Sequence, residues 1–335
     1  MSPHINVIFM PTWGGILEEL KELRKAGNPI PFDVVRRKYL SKLHEHTGRN
    51  IIIYMSQWSQ PGVNDPENIS IIEEDIQGLM EVIHGLEGQK LDLIIHSPGG
   101  SAEATEAMVN YLRTKFTNIR VVVPQAAMSA ATMMACGADE IIMGKHSSLG
   151  PIDPQMLVYT QFGPKYAPAE AILDQFNLAK IECKDPENLG TWMPILSQYG
   201  PALLIECKNA QALSESLVSD WLEKYMFKDR DDASRIAHYI ASYLSAHSEF
   251  KSHGRHICRE KARSEIGLKI LDLEEDQIYQ DLVLSVFHAT THTFTGTPAV
   301  KIIENHLGKA FVKIERNIVF QAPPQVKEIQ QEDNK

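Results

Sequence analysis

The sequence predicts an α/β fold with a largely parallel sheet and a helical carboxy-terminal half. Short apolar runs at 50–55, 91–95, 119–123 and 140–143 have the length of buried strands. Stretches with helical apolar spacing lie between them, and strand–helix alternation at this interval implies right-handed crossovers and parallel pairing. Beyond Asp153 the pattern turns helical, at 169–180, 209–227, 231–247, 258–268 and 275–292.

The first 48 residues read as a preface to that core. A helical pattern over 16–23 is broken by Pro29 and Pro31. Arg36, Arg37, Lys38 and Lys42 read as a solvated helix face. After the first strand, Asn68 to Ser70 can cap a helix, with Glu73 completing a capping box. Ile72, Ile76, Leu79, Met80 and Ile83 form its apolar side. Ala104, Met108, Tyr111 and Leu112 stripe the helix after the second strand. The stretch 129–136 is a compact helix of small residues, and Gln211 to Met226 places Leu213, Leu217, Trp221 and Met226 on one side. The expected organisation is a helical extension at 1–48, a core at 49–160, a helical part completing the fold at 161–322 and a flexible tail at 323–335.

Composition narrows the function. With 335 residues, the chain can bury a sizeable core. A net charge of -10 argues against a nucleic-acid partner. Cys136, Cys183, Cys207 and Cys258 are scattered without a CxxC pair, as expected of reduced thiols in a cytoplasmic protein. No apolar run is long enough to span a membrane, and Met1 to Ile16 lacks the basic start and apolar core of a signal peptide. The spacings His253-x-x-His256 and His288-x-x-x-His292 suit a helix-borne metal, but no third ligand accompanies either. They read as solvated or core histidines. No phosphate-binding glycine loop is present, so no cofactor or metal is expected.

Two strand ends carry the chemistry. The first runs from Leu93 into Ser97-Pro98-Gly99-Gly100-Ser101, a corner whose glycines let a substrate approach the main chain. An ordinary strand-to-helix turn would look the same. The second runs from Val121 into Ala126-Ala127-Met128-Ser129-Ala130-Ala131. It puts a hydroxyl between small residues at a helix start, where the dipole favours negative charge. A serine there is otherwise a helix cap. Together the corners supply an oxyanion site and a nucleophile.

The two corners, followed by Cys136-Gly137-Ala138-Asp139 and by His146-Ser-Ser-Leu-Gly-Pro-Ile-Asp-Pro-Gln155, resemble the ClpP/crotonase superfamily on its signal-peptide-peptidase-A-like side. Within it the chain is most similar to the serine dehydrogenase proteinase family. The broad pattern covers about 50–155, and the narrower one extends to about 310, through His253-Gly-Arg-His256 and Thr293-Phe-Thr-Gly-Thr-Pro298. The resemblance implies a ClpP/crotonase-like β-β-α superhelix with a helical carboxy-terminal layer, and a serine peptidase assembled as a homo-oligomer. It implies Ser129 as nucleophile and the amides of Gly100 and Ala130 as oxyanion donors. Peptide or unfolded protein would bind by strand addition beside Gly99 and Ser101.

The general base stays open. Clp proteases place a histidine where this chain has Asp153, and an aspartate is a poor base for a serine hydroxyl. Signal-peptide-peptidase-A-like enzymes use a lysine further downstream, in the range of Lys180 and Lys184. Lys184, followed by Asp185, is the first choice and His146 a third candidate. Asp153 could instead cap the chain or orient a base. The alternatives to a peptidase are an acyl-CoA enzyme of crotonase type, which would use the same amides for an enolate, and a non-catalytic scaffold that has lost its base.

Overall fold

A computed structural model describes residues 12–61, 65–160 and 163–315. The expected tail at 323–335 and most of the signal-peptide test, at 1–11, fall outside these residues.

From the amino end, α1 (Trp13–Lys25) and α2 (Pro31–Thr47) precede β1 (Asn50–Ser56). Then come α3 (Asp75–Ile83), β2 (Lys90–His96), α4 (Ala102–Lys115), β3 (Asn118–Val123), β4 (Ala126–Ala127) and α5 (Ala130–Cys136). The chain continues through β5 (Glu140–Met143), β6 (Ser148–Leu149) and the antiparallel pair β7 (Gln155–Thr160) and β8 (Gly163–Pro168). Helices α6 (Ala169–Glu182), α7 (Leu189–Leu196), α8 (Leu203–Trp221), α9 (Ala233–Ser245) and α10 (His247–Phe250) follow. Last are β9 (Ile257–Cys258), α11 (Arg259–Lys261), β10 (Ile270–Asp272), α12 (Gln277–Gly296), β11 (Ala299–Asn305) and β12 (Ala310–Ile314).

Seven strands form the main sheet in the order β10-β5-β3-β2-β1-β11-β12. Pairing is parallel from β10 to β1 and antiparallel beyond it. The continuous apolar runs are explained by burial of both faces. Ile51, Ile53, Ile94 and Val122 face Val35, Leu40 and Val286 of α2 and α12. Ile52, Tyr54, Leu93 and Val121 face a second core containing Leu79, Met108, Ala131 and Leu217 from α3, α4, α5 and α8. The predicted α/β architecture with its parallel-rich sheet is therefore present.

Several local expectations are corrected. Pro31 starts α2 as its first residue, where a missing N–H costs nothing. Arg36 is no solvated basic residue. Its side chain is buried, donating to Glu304 and to Asp33, and Arg37 joins it on Glu304. The Ser70–Glu73 capping box does not form. Helix α3 begins later, and the Asp75 carboxylate accepts from Ile72 N at 3.0 Å. Met80, assigned to the apolar side, is exposed.

The carboxy-terminal half is also less purely helical than expected. It supplies β10, β11 and β12 to the main sheet, and β7 and β8 form a separate pair. Strand β11 contains the buried polar residues Lys301, Glu304 and Asn305, which break its apolar pattern. Gly78 lets it approach α3, since a Cβ there would lie 2.6 Å from Ile303 Cδ1.

Candidate active site

The serine corner and the glycine corner are hydrogen-bonded neighbours. Ser97 at the end of β2 bridges Ala127, with Ser97 N donating to Ala126 O at 3.2 Å and Met128 N to Ser97 O at 3.0 Å. Ser129 is half-buried and adopts φ 51°, ψ -122°, a conformation an alanine-flanked serine has no intrinsic reason to choose. It occupies the cap position of α5, yet its side chain makes no capping bond, and its hydroxyl has no hydrogen-bond partner among the described residues. Strain of this kind costs about 1–3 kcal/mol and persists only where the surroundings impose it.

Thr132 is one of the residues imposing it. Its hydroxyl donates to Ala127 O at 2.8 Å and accepts from Gly150 N at 3.0 Å, stapling α5 to β4 and to the chain after β6. Gly99 forms the opposite wall. At φ 99°, a Cβ on it would lie 2.7 Å from Ser129 Cβ and 2.8 Å from Ala130 N. Gly100 follows at φ 154°. Ile71 N donates to Gly99 O at 2.7 Å and Ser101 N donates to Ile71 O at 2.9 Å. In such a parallel bridge the middle residue turns its own N–H the other way. The N–H of Gly100 is thus directed away from Ile71, on an exposed residue, without a partner among the described residues. Ala130 N, at the first position of α5, is one of the orphan donors of a helix start.

Ser101 caps α4, accepting from Ala104 N at 3.0 Å and donating to Glu103 at 2.9 Å. His96, adjacent to Ser97, is buried against Trp58 and Phe287, and Ser59 Oγ lies 3.2 Å from its Nε2. Burial pushes its pKa down to about 4, and burial does the same to His288 and His306. The unfolded chain takes up these protons near the ordinary histidine value of 6.5, and the folded chain only near 4. The unfolded state therefore binds more protons in that window, and stability falls as pH drops through it. Thermal melts between pH 7 and pH 4 should show this fall, with a shallower slope for His96→Phe.

The base candidates differ in their surroundings. His146 is exposed, with Nε2 2.9 Å from Pro124 O. Helix α6 starts beside Pro154, where Ala169 N donates to Pro154 O at 2.9 Å. It carries Lys180 roughly 16 Å down its axis. Lys180 and Lys184 are both exposed, towards and beyond that far end.

Asp153 is different. It is 2 % exposed and clasped by two histidines. His253 Nδ1 lies 2.7 Å from Oδ1 and His247 Nδ1 lies 2.8 Å from Oδ2, while Gln155 Nε2 donates to Oδ2 at 2.9 Å. Ile152 N donates to Leu244 O at 2.9 Å, fixing this strip to α9. Sequence reasoning reached Asp153 but missed both histidines. They lie about a hundred residues further on, and neither spacing nor composition links them to it; the sequence marks His253 only as half of a metal-like pair and as part of the His253-Gly-Arg-His256 stretch of the family resemblance.

Residues 33–191, a little under half of the chain, match the model of a family described as ClpP-like SDH-type serine proteinase. Two proteins of Methanocaldococcus jannaschii are similar to the chain. The uncharacterized protein MJ0137 is 34% identical over 128 residues, covering 38% of this chain and 45% of that one. The uncharacterized protein MJ1495 is 40% identical over 90 residues, covering 27% and 28%. The chain thus spans less than half the length of these relatives. Among solved structures, a mutant of the 1510-N membrane-bound stomatin-specific protease aligns at 16% identity and TM-score 0.34, over 60% of this chain and 74% of that one.

Proposed function

We propose that this chain, which carries a ClpP-like SDH-type serine proteinase segment over residues 33–191, is a peptidase that cleaves through an acyl-enzyme on Ser129. The observation that carries the reading is Ser129 itself: a non-glycine residue at positive φ, its hydroxyl uncommitted, pressed against Gly99 at the end of the neighbouring strand. A cap would not need that strain, whereas a nucleophile presented on a sharp strand-to-helix turn does. Ser129 Oγ attacks the peptide carbonyl, the amides of Gly100 and Ala130 hold the developing oxyanion, the amine leaves, and water hydrolyses the ester. This tight corner favours acyl transfer over enolate chemistry, which has no use for a strained serine.

The substrate is an extended peptide or an unfolded protein, laid beside Gly99–Ser101. No helix among the described residues is long and apolar enough to cross a membrane, in keeping with action in the cytoplasm. Self-association into a homo-oligomer is part of the reading. It is supported by exposed Leu157, Tyr159 and Tyr166 on β7 and β8 and by Leu178 and Ile181 on α6, more apolar surface than one small element usually shows to water.

The test is labelling with a fluorophosphonate, read by intact mass, on wild type and Ser129→Ala. One adduct on wild type and none on the variant is the expected result. A folded wild type that takes no adduct sinks the reading and leaves the scaffold alternative.

A further inference from the structure

We propose that His253 is the general base of Ser129, that Asp153 orients it, and that His247 is a positioning residue holding the second carboxylate oxygen. The inference rests on the Ser129 peptidase reading and deepens it.

The register of the small sheet β4-β6-β9 carries the argument. Ala127 pairs with Leu149, and Leu149 pairs with Ile257. Strand β4 runs forward into Ser129, and parallel β6 runs forward into Asp153. Strand β9 is antiparallel, so the residues preceding Ile257 run off the same end, and His253 is among them. Nucleophile, carboxylate and His253 thus leave one edge of one sheet. Thr132 and the close approach of Gly150 to Met128 fasten the first two strands at that edge.

The ring geometry fits the role. With Nδ1–H donating to Asp153 Oδ1, the Nε2 lone pair of His253 faces away from the carboxylate, and it has no partner among the described residues. His247 uses its own Nδ1 on Oδ2, but belongs to the helical layer. Its backbone N donates to Glu170 of α6 at 2.7 Å, and Ser248 N to the same carboxylate at 3.2 Å. The charged groups bonded to the pair are the Asp153 carboxylate, on both rings, and the Glu170 carboxylate, on the His247 backbone.

The step balances without an added reagent. His253 Nε2 takes the Ser129 hydroxyl proton as Oγ bonds to the carbonyl carbon. When the C–N bond breaks, that proton passes to the leaving amine. A water then repeats the sequence on the ester and returns the proton to Ser129. The Asp153 carboxylate keeps the imidazolium paired.

The experiment measures fluorophosphonate labelling rates and kcat/KM on a fluorogenic peptide, with circular dichroism to confirm folding. His253→Ala and His253→Gln should each lose roughly 10²–10⁴-fold. Added imidazole should restore rate to His253→Ala and not to Ser129→Ala, and the acid limb of the wild-type pH profile should vanish in His253→Gln. Asp153→Asn should lose a similar factor, part of which Asp153→Glu recovers. His247→Ala should keep the acid limb. A labelled wild type with His253→Gln within about threefold of it overturns the assignment while the peptidase reading stands. So does imidazole rescue of His247→Ala in place of His253→Ala. A wild type that takes no label overturns both.

Discussion

Gly99→Ala is expected to lower kcat for peptide hydrolysis by roughly 10²–10³-fold, about the effect of losing one oxyanion donor. The added Cβ would lie 2.6 Å from Met128 O, 2.7 Å from Ser129 Cβ and 2.8 Å from Ala130 N. Two of these three atoms are backbone, which cannot swing aside as a side-chain tip can. At φ 99° alanine also meets strain of its own. Either the glycine corner recoils from the serine or the serine turn shifts, and both separate Oγ from the amides of Gly100 and Ala130. Displacements of about 1 Å cost about 10²-fold when near-attack geometry sets the rate. Gly88→Ala is the control. Its φ is also positive, at 75°, but nothing lies within 4 Å of the added carbon, so it should cost a little stability and no activity. Equal kcat in the two variants would mean that the Gly99 wall does not shape the reacting centre.

The same contacts explain what the sequence could reveal. The strands were readable because both sheet faces are buried, giving continuous runs such as Ile51 to Ile53 that no surface segment would carry. The two corners were readable because their demands are local: glycine where φ is positive, small residues where a turn is crowded. The pairing of Asp153 with His247 and His253 is not local. His253 is brought there by β9 folding back antiparallel onto β6, a register set by only two residue pairs, and His247 by the helical layer, which the Ile152–Leu244 bond ties to the Asp153 strip. Nor could spacing reveal β11, where buried Lys301, Glu304 and Asn305 satisfy partners on α2 and α3 and interrupt the apolar signal. The lysine sought as a base from family resemblance was placed by its distance from Ser129 along the chain. That distance takes no account of the fold between: α6 starts beside Pro154 and carries Lys180 roughly 16 Å along its own axis, where both lysines are exposed.

Lys301→Met should destabilise the fold by about 3–5 kcal/mol, the usual cost of stranding one member of a buried ion pair. Lys301 and Asp75 are both fully buried. The ammonium donates to both Asp75 oxygens at 2.8 Å and to Ser70 O at 2.6 Å. The same carboxylate accepts from Tyr54 OH at 2.6 Å and from Ile72 N at 3.0 Å. Burial pulls the lysine below its ordinary pKa and Asp75 offsets only part of this, so the pair is costly to build and costlier to break. Its position makes the consequence catalytic as well. Ser70 and Ile72, both held by the pair, flank Ile71, whose backbone brackets Gly100 through Gly99 O and Ser101 N. Without the ammonium, the buried Asp75 carboxylate loses its cation and Ser70 O its donor, and the strip that aims the Gly100 amide loses its anchor. Urea unfolding should report the stability loss, and kcat measured well below the new midpoint should fall with it. Adding Asp75→Asn to Lys301→Met removes the stranded charge and should recover part of the stability. It should recover less of kcat, because the bond to Ser70 O is still missing. A Lys301→Met protein that is destabilised but fully active would show that Ile71 keeps its place without the pair, and that the oxyanion wall is held by the Gly99 and Ser101 backbone bonds alone.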